Sequence, residues 1–291
     1  MKNIFYILLI TCLLFSCKSN NKQGRKDTTM TNAGIDQTKE LIRKFKPIIQ
    51  GVWVKSNYVS AICKTKSAHK SSNELGGVAS FIIGLESIKS DSVHVGYSLN
   101  NHEGSDFVLH FLLGKNSNCL KTSLRDDELS SNFYELGYVT KEKNTTLVLY
   151  HYTKNNHLID STNYFKVAGK DSGENDMSWG IQHIINEKLI SGNYTTTDST
   201  GAVLKIRFDN NGTVSGFYDF KKYFINTDFE AEAEPDNNLD EIGVYESNIG
   251  KAIWYPFKIN SDTLDLYVPM KNADSTLLSL DKLKYKLVRQ K

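Results

Sequence analysis

Several things are scarce in this chain of 291 residues, and each scarcity excludes something. Net charge is nearly absent: 35 Lys and Arg stand against 33 Asp and Glu. Such a balance gives no electrostatic footprint for nucleic acid, so no nucleic-acid partner is expected. There are only four Cys and four Pro, which excludes a disulfide-dense scaffold and a proline-rich extended chain. No apolar run reaches the roughly 20 residues a membrane-spanning helix requires. Gly-X-Ser-X-Gly, a phosphate-binding glycine loop, paired zinc thiolates and His-Glu-X-X-His are all missing. Carboxylates are scattered with no spacing that singles out an acid/base pair. No catalytic residue, metal ligand or cofactor is therefore assigned, and no enzyme is expected.

What is present begins with an address. Lys2 precedes an apolar run over 4–15, which ends in Leu14-Phe15-Ser16-Cys17 and then turns polar at once. This pattern resembles the lipobox of bacterial lipoproteins: an apolar residue, a tolerant position, a small residue, then Cys. The resemblance implies a signal peptide over 1–17, cleavage before Cys17, and acylation of that residue with chains such as palmitate. Several acyl chains on one residue hold a protein on a membrane, each buried CH₂ contributing about 0.8 kcal/mol. In the sorting rule of Gram-negative lipoproteins, Lys18 rather than Asp after the cysteine implies the outer membrane. Residues 18–37 are polar and read as a flexible tether.

Beyond the tether the chain is rich in Tyr and Phe, 15 and 14 respectively, and poor in Ala, as suits β structure. A short amphipathic helix and a strand beginning Gly-X-aromatic occur twice. Pro47 to Trp53, PIIQGVW, aligns with Lys188 to Tyr194, KLISGNY. Residues 145–150 align with 262–267, and 164–167 with 285–288. Repeated beginnings and repeated ends in one order point to two copies of one unit. The first spans 38–168 and the second 176–291, joined by a linker over 169–175 that is rich in Gly, Ser and charge. Pro47 is expected to end the first helix. Asp176 or Ser178 is expected to cap the second. Strands at intervals near ten residues, broken by turns such as Asp209-Asn210-Asn211-Gly212, read as antiparallel meanders.

A helix entering a Gly-X-Trp strand resembles the opening of lipocalins. Gly51-Val52-Trp53 carries the pattern, and Gly192-Asn193-Tyr194 carries it with Tyr in place of Trp. The resemblance implies two tandem lipocalin-like barrels; β-sandwiches built from the same strands are the alternative. It also implies that each aromatic closes a barrel base against a basic residue near the last strand. Arg289 is the candidate in the second unit and Lys166 in the first.

A barrel of that kind implies a small hydrophobic ligand. Trp53, Tyr58, Tyr194, Phe208, Tyr218, Tyr223 and Trp254 are the candidate binding residues, with packing in the core as the competing role. Filled barrels that dock another envelope protein are the alternative function. Cys12 leaves with the leader and Cys17 takes lipid, so Cys63 and Cys119 remain as a candidate disulfide in an exported chain. His94, His110 and His151 lie on separate strands, where unrelated polar roles outweigh a shared metal. The alternating Glu of 229–234, with Asp236, Asp240 and Glu241, reads as a solvated acidic face before it reads as a Ca²⁺ site.

Overall fold

The computed structural model describes residues 32–84, 91–99, 103–142, 144–169, 177–229, 238–246, 250–271 and 277–291. The leader, Cys17, most of the linker, residues 230–237 and the candidate cap Asp176 lie outside these. The chain is mainly β and forms two eight-stranded antiparallel barrels, one closed and one nearly so.

Helix α1 (Asn32–Ile49) leads into β1 (Gly51–Lys55), then α2 (Ser56–Thr65) and a 3₁₀ turn (His69–Leu75). The first barrel continues with β2 (Val78–Ile83), β3 (Ser92–Leu99), β4 (Glu103–Leu113) and β5 (Cys119–Arg125). It ends with β6 (Phe133–Lys141), β7 (Asn144–Tyr152) and β8 (Leu158–Ala168). Every strand pairs with its sequence neighbour, and β8 returns to β1. The sandwich alternative does not apply, because the first and last strands are hydrogen-bonded.

Helix α3 (Trp179–Ile185) and one π-helical turn (Asn186–Ile190) enter the second barrel. Its strands are β9 (Gly192–Thr197), β10 (Val203–Phe208), β11 (Val214–Ser215) and β12 (Phe220–Ile225). Then come β13 (Glu241–Glu246), β14 (Ala252–Asn260), β15 (Thr263–Lys271) and β16 (Leu278–Arg289). The order is β11-β10-β9-β16-β15-β14-β13-β12. An isolated bridge between Thr213 and Lys222 brings the two ends together.

The two barrel bases are built alike. In the first, Trp53 is fully buried and its indole N–H donates to the carbonyl of Ile49 at 2.8 Å. The Lys166 ammonium lies 5.0 Å above the ring. In the second, the Tyr194 hydroxyl donates to the carbonyl of Ile190 at 2.7 Å, again four residues back. The Arg289 guanidinium lies 5.1 Å from that ring. Arg289 also donates to the carbonyls of Leu189 and Ser191, both at 3.0 Å, and to the Tyr194 hydroxyl. Each clamp therefore ties the last turn of a helix, the first strand and the last strand together. Orphan carbonyls at a helix end need partners, and here an aromatic donor and a cation supply them.

Gly51 and Gly192 make the corner between helix and strand. Their φ angles are +129° and +151°, in the region only glycine tolerates well. At Gly51 a side chain would also strike the carbonyl of Ala168 at 2.3 Å.

The clamps correct the repeat at its far end. Trp53 pairs with Lys166 and Tyr194 with Arg289. Leu147 pairs with Tyr164 and Leu264 with Leu287. Tyr164 thus corresponds to Leu287 and Lys166 to Arg289, two residues away from the alignment of 164–167 with 285–288. The Leu147–Leu264 correspondence stands.

Three further expectations change. Helix α1 passes through Pro47 to Ile49. Proline so near the end forfeits a single intrahelical bond, and the Gln50 N–H still reaches the Lys46 carbonyl at 3.3 Å. The meander expected from the regular strand spacing is interrupted after β1, where residues 56–65 form α2. Finally, Cys63 and Cys119 are both free. Cys63 is exposed on α2, whereas Cys119 is buried at the start of β5 with its sulfur against Gly137. One thiol faces solvent and the other is enclosed by strands β5 and β6, so they are not bridged.

The barrels share a core. Val54, Tyr58, Val59 and Ile62 pack in one cluster with Ile181, Ile184, Ile185 and the interior of the second barrel. Gly180 lets the side chains of Val52 and Val54 reach α3, since a Cβ there would lie 2.5 Å from Val52 Cγ1. Asp240 Oδ1 accepts the His69 N–H at 2.9 Å, and the Met177 carbonyl accepts the Ser80 hydroxyl at 3.0 Å.

Two outcomes test this description. Arg289→Met removes a cation–π contact and charge-assisted bonds to three acceptors, and is expected to cost on the order of 3 kcal/mol in denaturant unfolding. Lys166→Met, with one long contact at 3.5 Å to the Ile48 carbonyl besides the ring, is expected to cost about 1 kcal/mol. Equal losses, or none, would contradict the clamp. In a thiol-labelling experiment Cys63 is expected to react at once in native buffer. Cys119, whose thiol burial pushes up to about 11, is expected to react only on unfolding, and failure of both to label would restore the bridge.

Candidate functional site

The seven aromatic residues picked as ligand candidates do not converge. Trp53 and Tyr194 are the two base clamps. Phe208 is a hub of the second core, with ring centroids 5.6 Å from Tyr194, 5.1 Å from Tyr223 and 6.2 Å from Phe217. Tyr223 is buried, and its hydroxyl donates to the Asp209 carbonyl at 2.7 Å. Tyr58 is buried in the core between the barrels. Trp254 covers Gly243 on the outside of the second barrel, where a Cβ on the glycine would sit 3.1 Å from the indole. Of the seven, Tyr218 and Tyr223 border surface recesses, and these are two different recesses.

Large side chains occupy the interior of both barrels. In the first, Phe81 lies 4.4 Å from the Tyr164 ring and 5.9 Å from Phe107, above Trp53, Leu109 and Phe111. Phe45 of α1 meets Tyr138 edge-on at 5.4 Å and plugs the base. In the second, Phe217 is fully buried, tucked in by the turn between β11 and β12. That turn interrupts the expected meander between β11 and β12. Gly216 at φ +73° and Tyr218 at φ +47° reverse the chain, and a Cβ on Gly216 would collide with the Lys205 carbonyl at 1.9 Å.

Chemistry-bearing groups gather instead at the rims. At one end of the first barrel, His151 lies between two carboxylates. Its Nε2 is 3.1 Å from Asp126 Oδ2 and its Nδ1 is 3.3 Å from Asp160 Oδ2. The imidazole stacks on Tyr134 with centroids 4.3 Å apart and planes 13° from parallel. Register explains the assembly: Tyr134 and Asp160 both pair with His151, on β6 and β8. Asp126 arrives from the turn after β5. It accepts the Asn132 amide at 3.0 Å and the N–H groups of Glu128 and Leu129, which hold its carboxyl below the ordinary carboxylate value. Burial pushes the Tyr134 hydroxyl up to about 12. Both imidazole nitrogens are taken by carboxylates.

Beside it a groove of about 460 Å³ is bordered by Lys115, Lys121, Arg125, Tyr134 and Glu135. Glu135 is buried on the outer side of β6 and accepts the Lys115 N–H at 2.8 Å. Gly114 leaves it room, since a Cβ there would approach Glu135 Oε2 to 2.4 Å.

The second barrel carries a larger groove, about 700 Å³, between β9 and β16. Thr195, Thr196, Thr197 and Asp198 form one wall, Lys284, Tyr285 and Lys286 the other, with Tyr218 beside them. Tyr285 is held by neighbouring rings, with centroids 5.0 Å from Phe217, 5.7 Å from Tyr255 and 5.8 Å from Tyr218. Another recess of about 700 Å³ lies outside β12 and β13, against Tyr223, Phe224 and Tyr245.

Among the described residues no three His, Cys, Asp or Glu side chains converge on a point that a metal would occupy. His94 pairs with Asp106 at 3.1 Å on an exposed face, away from His151. Asp240 of the acidic stretch is engaged with the His69 backbone; residues 230–237 lie outside the described set.

Sequence reasoning missed the His151 cluster. Its β7–β8 half was legible, because a turn over 153–157 sets Asp160 opposite His151. Asp126 was not, because it reaches His151 from the turn after β5, outside the β7–β8 pair.

A pH dependence follows from Asp126. Its folded value is depressed, so its contribution is fully present above about pH 4, the ordinary unfolded value, and is lost as pH falls through the folded value. In thermal melts, the gap between the unaltered protein and Asp126→Asn is expected to be widest at neutral pH and to close below about pH 4. A gap that does not change with pH would show that charge on Asp126 is immaterial.

No protein-family model matches this chain, and no curated protein matches it.

Proposed function

We propose that this protein is a lipid-anchored envelope component that acts by binding a macromolecular partner on the outside of two filled barrels, without catalysis of its own. Anchoring rests on the lipobox at Leu14 to Cys17 and the polar tether behind it. The outer membrane is the proposed location because Lys18 follows the cysteine. Likeness to lipocalins belongs to the same reading: the two Gly-X-aromatic corners and their cationic partners support it.

One observation carries the choice of an outside surface over an inside one. The residues pointing into each barrel are packed against one another. Phe81 and Tyr164 are in van der Waals contact in the first, and Phe208 touches Tyr194, Tyr223 and Phe217 in the second. Both sets are almost wholly buried. A carrier of a small hydrophobic molecule requires an apolar hollow of several hundred Å³. The grooves of that size described above lie on the outer surface and along a seam. A shared core between the barrels further supports the reading, because it holds those grooves in one fixed arrangement.

The test is native mass spectrometry with lipid extraction on a soluble form beginning at Lys18, recovered from a bacterial envelope. The expected result is a protein of its bare mass with no uptake of a hydrophobic dye. A stoichiometric small molecule that is lost on Phe208→Asp or Phe81→Asp would overturn this reading and restore the calyx.

A further inference from the structure

The seam between β9 and β16 is unlike its counterpart in the first barrel. Corresponding pairs are Trp53 with Lys166 and Tyr194 with Arg289, then Val54 with Phe165 and Thr195 with Val288. The first barrel adds Lys55 with Tyr164, after which β1 turns into α2, and α2 packs against β1 and β8. Its own chain thus covers the place where the first and last strands part. In the second barrel pairing stops at Thr195 and Val288. There β9 turns back into β10 through the tight turn 198–202, closed by the Asp198 N–H donating to the Ala202 carbonyl at 2.9 Å. No helix follows, and the parting strands leave the groove of about 700 Å³ open.

The backbone groups at this opening can be assigned. The Gln290 N–H donates across the seam to the Asn193 carbonyl at 2.8 Å, and the Arg289 N–H donates away from it, to Asp262, at 2.7 Å. Donor direction alternates along a strand, so Val288 and Lys286 direct their N–H and C=O groups at the seam. On β9 the Asp198 N–H points to β10, so Thr197 and Thr195 point to β16. Thr197 and Lys286 are next in register after Thr195 and Val288, yet they are not paired. Two strand edges therefore face an open groove, the arrangement that recruits an added strand.

Charge and side chains narrow the occupant. Lys284 and Lys286 are exposed on the rim. Among the described residues lining the groove the one acid, Asp198, is engaged in its own turn: its Oδ1 accepts from the Thr200 hydroxyl, the Thr200 N–H and the Ala202 N–H at 2.7 to 2.9 Å. Val203 and Val288, both at least 40% exposed, offer apolar contact on either side.

We infer that the β9–β16 seam accepts an extended, acidic segment of another protein as an added strand. Its backbone pairs with Thr197 and Lys286, and alternate carboxylates meet Lys284 and Lys286. This deepens the proposed partner-binding function and rests on it.

The test uses the full lipidated chain in detergent with synthetic eight-residue peptides of alternating Val and Glu. The controls are the Val and Lys counterpart and the acidic peptide with a central proline. The acidic peptide is expected to bind about tenfold or more tighter than either control at low salt. It is also expected to slow hydrogen exchange at the amides of Thr197 and Lys286. Lys284→Glu with Lys286→Glu is expected to invert the preference toward the lysine peptide, a gain that an unfolded protein cannot produce. Equal binding of all three peptides, absence of binding, or an unchanged preference in the doubly reversed variant would overturn the seam. Protection of amides on another face would overturn the seam while sparing the partner-binding reading. A co-purified small ligand overturns that reading without bearing on peptide affinity.

Discussion

A cation seated over a buried aromatic ring closes each barrel, and the rest of the architecture is arranged around those two clamps. The ring of Trp53 or Tyr194 donates to a carbonyl four residues back, at the end of the preceding helix. The cation comes from the final strand, more than 90 residues away along the chain in either unit. A single contact thus joins the first and last elements of a domain. Glycine at the corner is what lets the helix stop and the strand start within reach of the ring. The second clamp is the stronger, because a planar guanidinium satisfies several acceptors at once where an ammonium offers a point charge.

From the clamps follows the relation between the barrels. Helix α3 plugs the base of the second barrel with Ile181, Ile184 and Ile185, and turns Gly180 toward β1 of the first. One helix serves two cores, so the pair behaves as a joined body with shared burial. Helix α2 has no equivalent in the second barrel, and this is the main departure from the repeat. It covers the seam of the first barrel and leaves that of the second open. The asymmetry puts main-chain donors and lysines at the surface of one unit alone.

Much of the fold is legible in the sequence. The helix–Gly–X–aromatic openings and the antiparallel strands were visible as local patterns, and the basic partners Lys166 and Arg289 followed from the resemblance to lipocalins. What failed did so for identifiable reasons. Strand β5 and helix α2 are short, and their burial depends on neighbours far along the chain. The repeat slipped by two residues at 164–167 because Tyr-Phe-Lys-Val and Tyr-Lys-Leu-Val match by letters, whereas the clamp sets the register by geometry. The candidate site was less legible than the fold. Aromatic residues chosen for a calyx proved to be packing and clamps, since Trp, Tyr and Phe serve burial and binding with the same chemistry.

Sequence alone determined the class of structure, the duplication and the glycine corners, because each is written in neighbouring residues. Only the tertiary structure decided that Cys63 and Cys119 stay apart, that His151 sits between Asp126 and Asp160, and that β9 parts from β16. Each of these depends on which strand lies beside which, and at what offset. Pairing between distant strands is set by the closure of a whole barrel, a sum over many contacts that no short stretch of chain contains.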